Sequence, residues 1–162
     1  MRFSYPCVVV QDDEEANATG REAYCATFPD VPPAITGGGS VQEVNDNLRD
    51  CLETALSIYL DEGKPLPEPS EPEPGQVLVA VSPPVAAQFA LYEALRAQGV
   101  SAIELARRIG LRASNAKRLI DIFRPAKPDE IDRALAAVGL QMTSEVVPLG
   151  QWMPSHKPAP AL

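Results

Sequence analysis

The stretch Ser-Ala-Ile-Glu-Leu-Ala-Arg-Arg-Ile-Gly-Leu-Arg-Ala-Ser-Asn-Ala-Lys-Arg-Leu-Ile, residues 101–120, leaves the chain little conformational freedom. Ser101 followed three residues later by Glu104 marks a helix start. Ala106 is small where a second helix can press on the first, and Gly110 supplies the positive φ of a tight turn. Leu105, Ile109, Leu111, Ala116 and Leu119 form the apolar inside of two short helices that cross steeply, the second over about 113–123. This pattern predicts a helix-turn-helix. Ser114, Asn115, Lys117 and Arg118 then point outward. Six basic residues, Arg107, Arg108, Arg112, Lys117, Arg118 and Arg124, stand against Glu104 and Asp121 within 101–124. Such a surface suits duplex DNA, with the second helix in the major groove. Asn115 or Ser114 would read base edges, and Arg118 and Lys117 would reach guanine or phosphate. Arg107, Arg112 and Arg124 complete the candidate surface. The plain alternative is a helical bundle with a solvated charged face.

Ahead of this segment the pattern is mixed. Residues 3–10 read as a strand buried on both faces near its end. Residues 11–20 are acidic and polar and read as a loop. In 22–28, Tyr24, Ala26 and Phe28 alternate with Cys25 and Thr27, as in a second strand. Residues 29–33 form a turn, and 34–36 a short third strand closed by Gly37-Gly38-Gly39. Ser40 and Glu43 then open a helix as a capping box. Val44, Leu48, Leu52, Ala55, Leu56 and Tyr59 make its apolar stripe, and Gly63 and Pro65 stop it. Residues 67–75 are a Pro/Glu-rich connection, and 76–81 a fourth strand. From Ser82 on, everything is helical: one helix opened by Pro83 and ended by Gly99, the segment above, and a last helix from Pro128 to Gly139. The expected fold is α+β. It has a β-β-β-α-β domain over 1–81, an all-α helix-turn-helix domain over 82–143, and a disordered Pro-rich tail over 144–162.

The net charge of -8 argues against a nucleic-acid binder until it is divided. Residues 1–75 carry 4 Lys/Arg and 15 Asp/Glu, whereas 76–162 carry 10 and 7. The first part is therefore at -11 and the second at +3. The basic part can face phosphate, and the acidic part attracts a basic partner. With no run of about 18 apolar residues, no membrane span is expected. The first residues lack the pattern of a signal peptide, so the expected compartment is the cytoplasm. Cys7, Cys25 and Cys51 are scattered and read as buried thiols that behave as small hydrophobes. No clustered ligands or phosphate loop are present, so no metal and no cofactor are expected.

Several short motifs, in order, resemble one family. They are Tyr5-Pro6, Phe28-Pro29-Asp30-Val31-Pro32, Thr36-Gly37-Gly38, Ser40-Val41-Gln42-Glu43-Val44, and the run from Glu62 to Ser70. Further along stand Arg118-Leu119-Ile120-Asp121, Ile131-Asp132-Arg133-Ala134-Leu135 and Val138-Gly139-Leu140. Across about residues 3–143 the chain is similar to HicB antitoxins. The resemblance implies a truncated ribonuclease-H-like first domain that binds and blocks a small basic HicA-like toxin, itself an mRNA-cleaving ribonuclease. It implies a second domain that represses the operon encoding both proteins. The expected toxin contacts are Phe28, Pro29 and Asp30 in the turn, and Asp12, Asp13, Glu14 and Glu15 in the acidic segment. The chain departs from the family in that acidic segment, in Pro33-Ala34 where Gly-Cys is frequent, and in the tail. The protein should also be at least a homodimer on DNA, since one helix-turn-helix reads few base pairs.

Two other readings compete. A metal-dependent nuclease needs several carboxylates converging on metal ions. Asp12 to Glu15 are adjacent and splayed, the later strands carry no carboxylate, and His156 is alone, so no enzyme is expected. A one-component regulator would instead sense a small ligand with its first domain, which requires polar groups converging in an apolar pocket.

Overall fold

The computed structural model describes residues 1–124, 126–143, 146 and 148. The expected tail lies almost wholly outside the described residues. Strands β1 (Ser4–Gln11), β2 (Tyr24–Thr27), β3 (Ile35–Gly38) and β4 (Val77–Ala80) form one sheet in the order β3-β2-β1-β4, every neighbouring pair antiparallel. Helix α2 (Val41–Asp61) covers one face. Strand alternation turns Tyr5, Cys7, Val9, Ala26 and Val79 to that face. They pack with Val44, Leu48, Leu52 and Leu56 of α2. The expected cap holds: Ser40 Oγ accepts from Glu43 N at 3.2 Å, and Glu43 Oε2 accepts from Gly39 N at 2.8 Å.

Two expectations fail in this half. The acidic segment is not a loop: Asp13–Thr19 form a short helix, α1. Asp12 Oδ1 accepts from Glu15 N at 3.0 Å, and Gly20 ends the helix at φ 70°. Three carboxylates in the first turn favour the positive end of the helix dipole. The glycine run does not close β3 but continues it. A Cβ on Gly37 would lie 2.7 Å from the Tyr24 carbonyl oxygen, so only glycine lets β3 approach β2 this closely.

Helices α3 (Pro83–Gln98), α4 (Ala102–Arg108) and α5 (Pro128–Ala137) make the second half, with a 3-10 helix at Ala113–Leu119. Its core contains Leu91, Leu95, Leu105, Ala106, Ala116, Leu119, Ile131 and Leu135. Helix α3 serves both cores: Val85, Phe89 and Tyr92 enter the sheet core, and Ala87, Leu91, Ala94 and Leu95 enter the helical one. Polar bonds tie it to the connection after α2. Tyr92 donates its hydroxyl to Lys64 O at 2.7 Å, and Glu93 Oε1 accepts from Leu66 N at 2.7 Å. Tyr5 Oη likewise donates to Pro67 O at 2.9 Å.

Cys7 is fully buried, and that burial, with Cys51 beside it, pushes its thiol up to about 12. Cys7 is therefore expected to stay unmodified by iodoacetamide at pH 8 in the native protein and to react once the chain is denatured. Peptide mass spectrometry checks this.

Candidate functional site

The chemistry-bearing residues fall on two surfaces. On the helical side, Ser101 Oγ accepts from Glu104 N at 3.1 Å and starts α4. Gly110 takes φ 76°, and Leu111 N donates to Ala106 O at 2.7 Å, closing the turn. Leu105, Ala106, Ala116 and Leu119 are buried where α4 meets the 3-10 helix, while Ile109 and Leu111 are half-buried.

The second element departs from the expected α-helix over 113–123. It is a 3-10 helix ending at Leu119. Arg112 gives it no side-chain cap, and Ser114 and Asn115 are weak helix formers. Gln88 of α3, 1% exposed, donates Nε2 to the carbonyls of Arg118 at 3.1 Å and Asp121 at 2.9 Å. The Arg118 carbonyl is the one an α-helix would pair with the amide of residue 122, so this bond offers the backbone another partner.

The geometry sorts the expected DNA residues. Arg112, Ser114, Lys117 and Arg124 are exposed, and Asn115 is half-buried. Arg107 is exposed but tied to Glu104, which also takes Arg108: Nη2 of Arg107 lies 2.6 Å from Oε2, and Nε of Arg108 lies 3.0 Å from Oε1. The hydrogen bonds from Arg107 and then Arg108 hold the Glu104 carboxyl below its ordinary range. Such surface pairs are screened by solvent and weak, so a phosphate can compete for either arginine. Arg118 corrects the sequence reading. Its Nη2 lies 2.7 Å from Oε2 of Glu130, whose side chain is 10% exposed, and its Nε is buried without a hydrogen bond. In 3-10 geometry, with three residues per turn, Ala116 and Leu119 stack inward, and Arg118 reaches α5 instead of open solvent.

On the sheet side, Asp13, Glu14 and Glu15 are exposed on α1, while the Asp12 carboxylate is occupied as the cap. Pro29 is exposed. Asp30 is half-buried, and its Oδ2 accepts from Ser70 N at 2.9 Å and Ser70 Oγ at 3.0 Å, holding the Pro/Glu-rich connection to the turn. Phe28 is 1% exposed and belongs to the core, so it offers no surface to a partner. Its place in the Tyr24, Ala26, Phe28 alternation already put it inside.

Sequence reasoning missed Gln88 and Glu130. Gln88 had a signal, a lone amide in an otherwise apolar stretch of α3. The partner of Glu130 lies 12 residues away across a turn, beyond any local pattern. Among the described residues no group of three or more His, Cys, Asp or Glu could hold a metal ion. No helix among them is long and apolar enough to cross a membrane.

The family model described as "HicB_like antitoxin of bacterial toxin-antitoxin system" matches residues 4–90. The chain is similar to "Antitoxin HicB 2" of Photorhabdus laumondii, 33% identical over 72% of this chain and 82% of the relative. It is also similar to "Antitoxin HicB" of Pseudomonas fluorescens, 34% identical over 75% and 82%. "Antitoxin HicB" of Escherichia coli K12 is 30% identical over 76% of this chain and 90% of its own length.

Proposed function

The chain belongs to the HicB antitoxin family, and from that premise we propose that its acidic half binds and neutralises a small, basic, HicA-like mRNA-cleaving toxin. Its basic half binds operator DNA and represses the operon. The protein acts in the cytoplasm without catalysing a reaction. The first half is a truncated ribonuclease-H-like domain, a reading supported by its four-stranded antiparallel sheet with α2 between β3 and β4, α1 being an added helix between β1 and β2. The second works as a helix-turn-helix, with α4 as the first helix and the 3-10 helix as the reading element. The observation that carries the proposal is the charge split, -11 in residues 1–75 and +3 in residues 76–162. A toxin that grips RNA is basic, and an acidic domain is steered onto it while staying clear of DNA.

Co-expression with a HicA-like toxin tests this. The expected result is restored growth, a co-purified complex, and a DNA shift by the chain on its own upstream region. Growth arrest despite a folded, expressed chain overturns the antitoxin role. The chain binds DNA as a homodimer or larger, with two reading elements about one DNA turn, roughly 34 Å, apart. Sedimentation at DNA-saturating concentrations checks this, and a monomer there refutes it.

One observation favours a one-component regulator whose ligand site lies in the second half instead of the first. A cleft of about 430 Å³ between α3 and α5 is lined by Pro83, Pro84, Ala87, Ala126 and Ile131, with Gln88 beside them. Gln88 Oε1 is buried and has no hydrogen-bond partner among the described residues. Operator binding that changes with a small metabolite and ignores the toxin would favour this reading.

A further inference from the structure

The sheet has a second face, and its composition is unusual. Strand register places Val10, Cys25 and Gly37 in one cross-strand row of that face, and Val8, Thr27 and Ile35 in the next. Leu78 of β4 extends it on the far side of β1. None of these residues is charged. None of them packs into either core. Val10 is 52% exposed, Ile35 62% and Leu78 38%. An antiparallel sheet with one solvated face normally alternates apolar inside with polar outside. Here most outer positions are apolar as well, with Thr27 and Ser4 the polar ones, and exposed apolar patches of this kind mark interaction sites.

We infer that this open sheet face is the apolar centre of the toxin-binding surface, a site that rests on the antitoxin reading above. Its occupant is a basic protein with an apolar patch. Interfaces place uncharged residues at their centre and charged ones at the rim. The rim here is acidic. Strand β1 leaves the face at Val10 and runs within three residues into Asp13, Glu14 and Glu15 of α1, all exposed. The face belongs to the part of the chain at -11, with 15 acidic residues against 4 basic ones. A second copy would bring the same excess of negative charge against it, whereas a basic partner is drawn to it.

The test uses the full chain and the HicA-like protein that rescues growth in co-expression. Val10→Lys and Ile35→Lys each place a positive charge at an already exposed position, so both variants should fold. Circular dichroism and the thermal midpoint confirm it. Each should lower toxin affinity about a hundredfold or more, as expected for a central interface position. In the wild-type complex, Cys25 should be protected from iodoacetamide relative to the free chain. If both folded variants bind within threefold of wild type, or Cys25 reacts equally in the complex, the face is not the interface. If Ile35→Lys converts a dimer to a monomer with toxin affinity unchanged, the occupant is a second copy and the inference fails. If the wild-type chain binds no HicA-like protein, the antitoxin reading itself falls.

Discussion

A chain ending at Val81 is expected to be largely unfolded, whereas one ending at Gly99 folds and still neutralises toxin. The reason is that α3 closes the sheet core. Phe89 is fully buried and Val85 and Tyr92 nearly so, and the Phe89 ring sits 5.8 Å from that of Phe3. Fully burying such a side chain contributes about 1.5–3 kcal/mol. Three of them supply roughly 5–9 kcal/mol, comparable with the roughly 5–15 kcal/mol that holds a whole domain. Cutting at Val81 also removes the partners of Lys64 O and Leu66 N, which fix the connection between α2 and β4. The longer fragment would expose Leu91 and Leu95, so it should carry Leu91→Lys and Leu95→Gln to stay monomeric. In the intact chain, Phe89→Ala should cost about 3–5 kcal/mol. Thermal unfolding of both fragments and of the Phe89 variant, with co-expression rescue as the functional readout, checks this. Full rescue by a cooperatively folding 1–81 fragment would sink the argument. The family match, which runs to residue 90, ends within α3 and includes Val85 and Phe89.

What the sequence showed was what depends on neighbours. Ser40 with Glu43 and Ser101 with Glu104 are bonds across three residues, and both caps form as expected. Gly110 takes the positive φ its place in the motif required. The apolar alternation of β2 matches the observed core, whereas β1, expected to be buried on both faces near its end, leaves Val10 52% exposed. Helix α1 was legible but overlooked: Asp12 followed by Glu15 is a capping pattern, obscured by the polarity of the segment. The Glu104 pairs were also within reach, because Arg107 and Arg108 stand three and four positions on. Phe28 shows two readings in conflict, a surface role from motif order and a core role from strand period. The period is the stronger signal, because every side chain that shares a strand face shares its burial. The outward placement of Arg118 is met only in part, for a different reason. Projecting outward residues assumes an α-helix, and the side chain of Gln88, about 30 residues earlier, takes the Arg118 carbonyl that such a helix would use. The open apolar sheet face depends on register between four strands and could not be seen in any one of them.

Lys117→Ala and Arg118→Ala, adjacent in sequence, are expected to have opposite consequences. Lys117 is exposed and makes no ion pair among the described residues, so its loss leaves stability within about 0.5 kcal/mol. If it contacts phosphate, operator affinity falls for all sequences alike and the salt slope drops by about one. Arg112→Ala should behave similarly, and the double variant should fail to repress while still rescuing cells from toxin. Arg118 is different because Glu130 depends on it. Removing the guanidinium leaves a carboxylate only 10% exposed, with the 3.4 Å bond from Lys127 N as its remaining partner. Breaking a well-buried pair costs about 3–5 kcal/mol, and with Arg118 itself a third exposed, about 1–3 kcal/mol is expected. Arg118→Ala should therefore lower the unfolding midpoint by roughly 2–10 °C and weaken operator binding indirectly. Removing both charges, as Arg118→Met with Glu130→Leu, should recover most of the stability, because no buried charge is then left unpaired. Thermal melts of these variants and the wild type, with DNA titrations at two salt concentrations, separate the roles. If Arg118→Ala melts like wild type yet loses base discrimination, Arg118 reads DNA and the Glu130 pair is incidental. If Lys117→Ala and Arg112→Ala bind operator normally with an unchanged salt slope, the basic surface of the 3-10 helix is not the DNA interface.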